Sequence, residues 1–166
     1  MNIDVYPDSG LEIGGKRFRC ALGKTGITQS KREGDNATPT GTFPLRRVLY
    51  RPDRILPPNT KLPVAPIAPG DGWCDAPDDP HYNEQVALPY AASHEKLWRD
   101  DHVYDVIVVL GYNDAPPIAG RGSAIFMHVA RDGYAPTEGC VALAFSDLET
   151  VLAQCGPDDT LTVHAA

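Results

Sequence analysis

The sequence predicts a mainly β fold: a mixed sheet, curled into a barrel or doubled into a sandwich, with one or two short helices and long loops. Three observations carry that prediction. Glycine (15) and proline (16) are abundant and spread along the chain, which favours many turns and works against a helical bundle. The apolar runs are of strand length, about four to eight residues, and are bounded by turn-forming residues. One stretch near the C-terminus repeats its apolar residues at helical spacing.

Each element follows from its local pattern. Residues 2–6 read as a strand, and 16–22 alternate Arg17 and Arg19 with Phe18, Cys20 and Leu22, so one face is buried. Residues 30–41 form a polar loop in which no strand is expected, and 42–50 form the next strand. From 51 to 89 the chain is rich in Pro and Asp with little periodicity; so long a connection suits a lid or substrate wall as well as a decorative insertion. Residues 93–98 read as a short helix that packs Trp98 on the core. Residues 103–110, 123–130, 139–144 and 160–163 read as strands. Ser146 and Glu149 have capping-box spacing, and Leu148, Val151, Leu152 and Cys155 then define one helical face that Gly156-Pro157 ends.

The 166 residues are one domain's worth, so a single domain over 1–166 is expected. A hydrophobic share of 42% with 22% charged residues is ordinary for a globular chain. The net charge of −7 argues against a nucleic-acid surface. No apolar run reaches the ~18 residues of a membrane helix. Residues 1–7 carry neither a basic start nor an apolar stretch of export-signal length. Cys20, Cys74, Cys140 and Cys155 lack CxxC spacing; Cys20 and Cys155 lie on apolar faces and read as structural. His81, His94, His102 and His164 show no metal-ligand spacing, so no metal site is expected.

Two residues stand apart from this scaffold. His128 ends an apolar strand, where an isolated histidine is ordinarily a satisfied core residue. Cys140 enters the next strand after Thr137-Glu138-Gly139, where a lone cysteine is ordinarily a small hydrophobe. Together they suggest chemistry, because a thiol nucleophile needs a base or an imidazolium nearby. Adjacent strands joined by residues 129–139 would bring the pair within reach across a sheet. Gly139 leaves the sulfur open to a carbonyl, and the Cys140 N–H at the turn-to-strand junction suits an oxyanion.

The segment 125–143 resembles the active-site segment of the L,D-transpeptidase catalytic domain family (YkuD type). That family has a histidine on one strand, then Ser/Thr-His-Gly-Cys and a Val or Ile on the next; the matches are His128, Thr137, Gly139, Cys140 and Val141. Gly34-Asp35-Asn36-Ala37-Thr38-Pro39-Thr40-Gly41-Thr42-Phe43 is similar to the family's Gly-Asp-x-x-Thr-Pro-x-Gly-x-Phe loop, about 90 residues upstream and in the family's order. Glu138 departs from the usual histidine before Gly-Cys, and Ala142 stands where many members have Arg or Asn.

The resemblance implies an L,D-transpeptidase-like curled sheet and a cysteine acyltransferase that crosslinks peptidoglycan stem peptides. Cys140 would attack the carbonyl of an L-centre followed by a D-residue and form a thioester. His128, paired as imidazolium with the thiolate and oriented by a backbone carbonyl, would protonate the leaving amine and deprotonate the acceptor. Gly139 and Thr137 complete the catalytic set; no metal or organic cofactor is implied. Arg131, Tyr134, Glu138, Trp98 and Trp73 are candidates to contact substrate, and Lys31 and Arg32 to meet anionic wall groups. Diaminopimelate–D-Ala donors would give 3,3 crosslinks, and L-Ala–D-Glu donors 1,3 crosslinks. The implied partners are donor and acceptor stem peptides, with no nucleic acid or membrane span, and the implied location is the periplasm or cell envelope. Without a visible export signal, a cytoplasmic location or non-classical export stays open. The alternatives are hydrolysis of the same peptides by the same residues, a non-catalytic wall-binding module, and an unrelated intracellular cysteine hydrolase.

Overall fold

The computed structural model describes residues 1–166. In chain order the strands are β1 (Asn2–Val5), β2 (Gly10–Ile13), β3 (Lys16–Arg19), β4 (Ile27–Thr28), β5 (Thr38–Pro39), β6 (Gly41–Tyr50) and β7 (Val64–Pro66). They continue with β8 (Asp71–Cys74), β9 (Gln85–Ala87), β10 (His94–Lys96), β11 (Val106–Leu110), β12 (Phe126–Val129), β13 (Val141–Leu143) and β14 (Thr160–Val163). Helix α1 (Phe145–Leu152) lies between β13 and β14; no helix is long and apolar enough to cross a membrane.

The main sheet runs β13-β12-β11-β6-β14-β1-β2-β3, with β7 branching beside β6. It is mixed: β1–β14, β6–β7 and β12–β13 are parallel and the other pairs antiparallel. Just past β3, Ala21 exchanges both backbone hydrogen bonds with Ala142 of β13, at 2.7 and 2.9 Å. That bridge draws the two ends of the sheet together, so it curls to near closure and leaves little unpaired edge.

Strand alternation then sorts side chains between two apolar clusters. Ile3, Val5, Leu11, Leu161 and Val163 point inward, joined by Val106, Val108 and Leu110 of β11 and by Met127 and Val129 of β12. Leu148, Val151 and Leu152 of α1 cover the same cluster. The opposite face of β11 and β12 presents Ile107, Val109 and Phe126 to a second cluster that includes Leu49, Ile67, Trp73, Leu97, Tyr104 and Cys140. Trp73 meets Phe126 edge-on at 4.9 Å between centroids. It comes from the small sheet β10-β8-β9, so the aperiodic 51–89 stretch builds a cover over this face. Being two residues from Phe126, His128 belongs to this second face.

Three local expectations are corrected. Residues 93–98 form no helix; His94–Lys96 is β10, paired antiparallel with Cys74, Trp73 and Gly72 of β8. That ladder supplies backbone partners a single helical turn would lack. Helix α1 starts at Phe145 with Ala144 as N-cap and no side-chain cap, so the Ser146–Glu149 box does not form. The chain turns directly out of β13, and the Leu148 N–H already reaches the Ala144 carbonyl at 2.9 Å. Within 30–41, Thr38–Pro39 pairs parallel with Ile27–Thr28, a strand where none was expected. All four cysteines are buried and unpaired.

Candidate active site

Two loops meet to make the site. In the first, the Asp35 carboxylate accepts the Arg32 and Ala37 N–H groups at 2.8 and 2.9 Å and the Lys31 ammonium at 2.6 Å. Burial opposes its ionisation, but these partners outweigh it and hold the carboxyl below its usual range. Thr38, fully buried, accepts the Gly23 N–H at 2.9 Å. In the second, Thr137 Oγ accepts the Gly139 N–H at 3.1 Å and donates to the Cys140 carbonyl at 2.7 Å. Gly139 has φ +139°, and a Cβ there would lie 2.7 Å from the Ala37 carbonyl oxygen. Only glycine fits, and the two motifs that lie far apart in sequence touch at this point.

The pairing of β12 with β13 sets His128 opposite Ala142, leaving Cys140 just before β13 at the level of Phe126. The Phe126 N–H points at the Cys140 sulfur (3.4 Å), and the thiol donates to the Ala124 carbonyl (3.2 Å). Ala124 is itself held at φ 53° with its N–H on the Asn83 amide oxygen at 3.0 Å. The Cys140 N–H has no acceptor within the protein. His128 Nδ1 lies 2.9 Å from the Val129 carbonyl oxygen. A carbonyl only accepts, so Nδ1 carries the proton and Nε2 is left as the basic nitrogen.

Burial sets the charge states. It pushes the Cys140 thiol up to about 12, against the Phe126 N–H, and brings His128 down to about 4, against the Val129 carbonyl. The resting pair is thus a neutral thiol and a neutral imidazole with no hydrogen bond between them. Burial works against the thiolate–imidazolium pair that the resemblance implies, since neither charge has a compensating partner at its buried position.

Both residues open onto a cavity of about 500 Å³. Thr137, Glu138 and Arg131 line it, with Glu33, Asp75, Glu95, Tyr104 and Lys31. The Tyr104 ring stands edge-on to His128 at 5.4 Å, and its hydroxyl donates to Glu95. Burial lifts the Glu95 carboxyl to about 7 despite that hydrogen bond. Sequence reasoning missed Glu95 and Tyr104, since nothing local marks a β10 carboxylate as facing a distant cysteine.

The other candidates are placed elsewhere. Tyr134 lines a smaller, separate pocket and stacks under Arg19, with 4.2 Å from guanidinium to centroid. Trp98 lies under the Arg51 guanidinium at 3.7 Å, and Trp73 is core. Gly139 is buried against Ala37 and lends the site space rather than atoms. The Lys31 side chain is only 5% exposed and lines the cavity.

No curated protein matches the sequence. Among solved structures, an L,D-transpeptidase from Mycobacterium smegmatis aligns at 15% identity with a TM-score of 0.44. The alignment covers 99% of this chain and 58% of that one, so the chain spans a little over half the neighbour's length. The family model of the L,D-transpeptidase catalytic domain (YkuD) matches residues 4–163. That match takes in both loops, β12 and the cavity between them: the chain belongs to the L,D-transpeptidase catalytic-domain family.

Proposed function

We propose that this chain is a cysteine acyltransferase that crosslinks peptidoglycan stem peptides. The observation that carries the reading is the single cavity shared by Cys140 and by a His128 ring whose Nδ1 is already committed to a backbone carbonyl.

Cys140 Sγ attacks the carbonyl of an L-centre followed by a D-residue, and its proton passes to His128 Nε2 during the attack. General-base deprotonation of this kind suits a resting pair that is neutral. The new oxyanion meets the Cys140 N–H, which has no partner of its own. Collapse breaks the C–N bond, and the leaving amine takes the proton from His128. An acceptor amine then attacks the thioester, gives its proton to His128, and the proton returns to the departing sulfur. Thr137 holds the turn in which the sulfur and the oxyanion donor sit. Arg131 and Glu138, both on the cavity wall, contact substrate.

The donor we favour is diaminopimelate–D-Ala, giving a 3,3 crosslink, and the substrate places the reaction in the cell envelope. The test is incubation with purified disaccharide-tetrapeptide muropeptides, with products read by mass beside Cys140→Ala. Dimers that disappear in the variant are the expected result, and their fragmentation separates 3,3 from 1,3 linkage. Shortened monomers alone would replace the reading with a hydrolase. No product from either protein would replace it with a wall-binding module.

A further inference from the structure

We propose that Lys31 forms an anion subsite inside this cavity, which takes the free α-carboxylate of the donor's D-residue. The inference rests on the acyltransfer reading and adds the group that a donor must carry.

Lys31 belongs to a loop that reads as solvated, yet its side chain is 5% exposed. Asp35, four residues on, fixes the ammonium at 2.6 Å, and Asp35 is itself gripped by two backbone N–H groups. The pair is therefore built into the loop, and the ammonium is held in one place. An ammonium has three donors. Asp35 accepts from Nζ, and no other protein group does. Two donors are left, on a side chain that lines the cavity together with Cys140.

The position suits a substrate carboxylate. A Cβ on Gly139 would lie 3.2 Å from Lys31 Nζ, so the missing side chain leaves a passage between the ammonium and the turn that carries the nucleophile. In an L–D peptide, three bonds separate the scissile carbonyl carbon from the carboxylate carbon of the D-residue. A cation beside residue 139 can hold that carboxylate while the sulfur of residue 140 attacks. The cavity's other cations are less suited: Arg99 is engaged by both oxygens of Asp101 at 2.9 and 2.7 Å, and Arg131 is exposed. The acids on the wall make an uncompensated substrate carboxylate unwelcome, which gives Lys31 its discriminating role.

The experiment compares two synthetic donor tetrapeptides on the full chain, one ending in D-Ala carboxylate and the other in D-Ala carboxamide. Acylation of Cys140 is followed by intact mass. The acid should exceed the amide by about tenfold or more in kcat/KM, chiefly through KM, as expected for a charge-assisted hydrogen bond. Lys31→Met should bring the acid-to-amide ratio close to one, and Lys31→Arg should keep the acid preferred. Equal use of both donors by the wild type overturns the subsite and leaves acyl transfer standing. A Lys31→Met protein that still prefers the acid also overturns it. If Lys31→Met does not fold, the wild-type comparison decides alone. Acylation by neither donor overturns the acyltransfer reading and the subsite with it.

Discussion

The Cys140 thiol donates to the Ala124 carbonyl at 3.2 Å rather than to the ring of His128. The sulfur is thus parked against backbone, and Ala124 is held there in a left-handed conformation by Asn83. In the acyl transfer proposed above, the S–H turns from that carbonyl toward His128 Nε2.

The pH dependence of acylation should reflect this. With His128 near 4 and the thiol near 12, neither group titrates between about pH 5 and 9. Single-turnover acylation should fall as pH drops through about 4, where His128 takes up its proton, and show no rise from thiol ionisation near neutrality. A rising limb centred between about pH 6 and 8 that persists in Glu95→Gln would mean a thiolate–imidazolium pair instead.

Thr137 makes two hydrogen bonds that hold the turn before Cys140. Thr137→Val should destabilise the chain by about 1–3 kcal/mol and slow acylation, while Thr137→Ser keeps both properties close to wild type. Urea unfolding and single-turnover mass measurements on the two variants check this. A loss in Thr137→Ser with Thr137→Val close to wild type would assign the effect to the methyl group's packing instead.

Asn83 is buried with every polar group used. Its oxygen accepts from Trp73 Nε1 and the Ala124 N–H, and its amide donates to the Tyr112 and Asn113 carbonyls. Asn83→Leu strands these partners and should cost about 3 kcal/mol or more. Any folded fraction should acylate slowly, because the Ala124 carbonyl loses its support. A variant as stable as wild type would contradict this account.

Glu95 and His128 pull stability in opposite directions with pH. Glu95 is raised from 4.5 to about 7, so the folded chain keeps a proton that the unfolded chain loses, and its contribution declines as pH rises through that window. His128 is lowered from 6.5 to about 4, so the unfolded chain binds the extra proton, and stability rises with pH across that range. Glu95→Gln leaves the second slope alone. Its Tm should climb more steeply than wild type's between about pH 4 and 6.5, and exceed it at pH 8. Parallel Tm curves for the two proteins would show that Glu95 ionises freely in the fold.

Much of this was legible locally. Alternation in residues 16–22 and the apolar runs at 103–110, 123–130 and 160–163 predicted strands, and β3, β11, β12 and β14 lie inside them. The apolar face predicted from Leu148, Val151, Leu152 and Cys155 is buried, although α1 ends at Leu152 and Cys155 lies beyond it. The placing of His128 and Cys140 on one cavity was also legible, because a short connection between neighbouring strands restricts where the second can lie. The failures were equally local. The Ser146–Glu149 spacing met the statistical requirement for a cap, but the path of the chain out of β13 started the helix earlier.

Local pattern was enough for β3, β11, β12, β14 and the apolar face of α1, and for a thiol and an imidazole close along the chain; it was not enough for β5 or for β7 to β10, which exist through their partners. The surroundings of the thiol and the imidazole came from the tertiary structure. The small sheet of β8, β9 and β10 helps bury the face that carries Cys140 and His128, and that burial disfavours the charged form of each. The same packing brought Lys31 to the cavity beside Glu95 and Tyr104, which belong to a distant part of the chain. Burial and electrostatic environment depend on what folds over a residue, and no pattern within a short window of sequence contains that information.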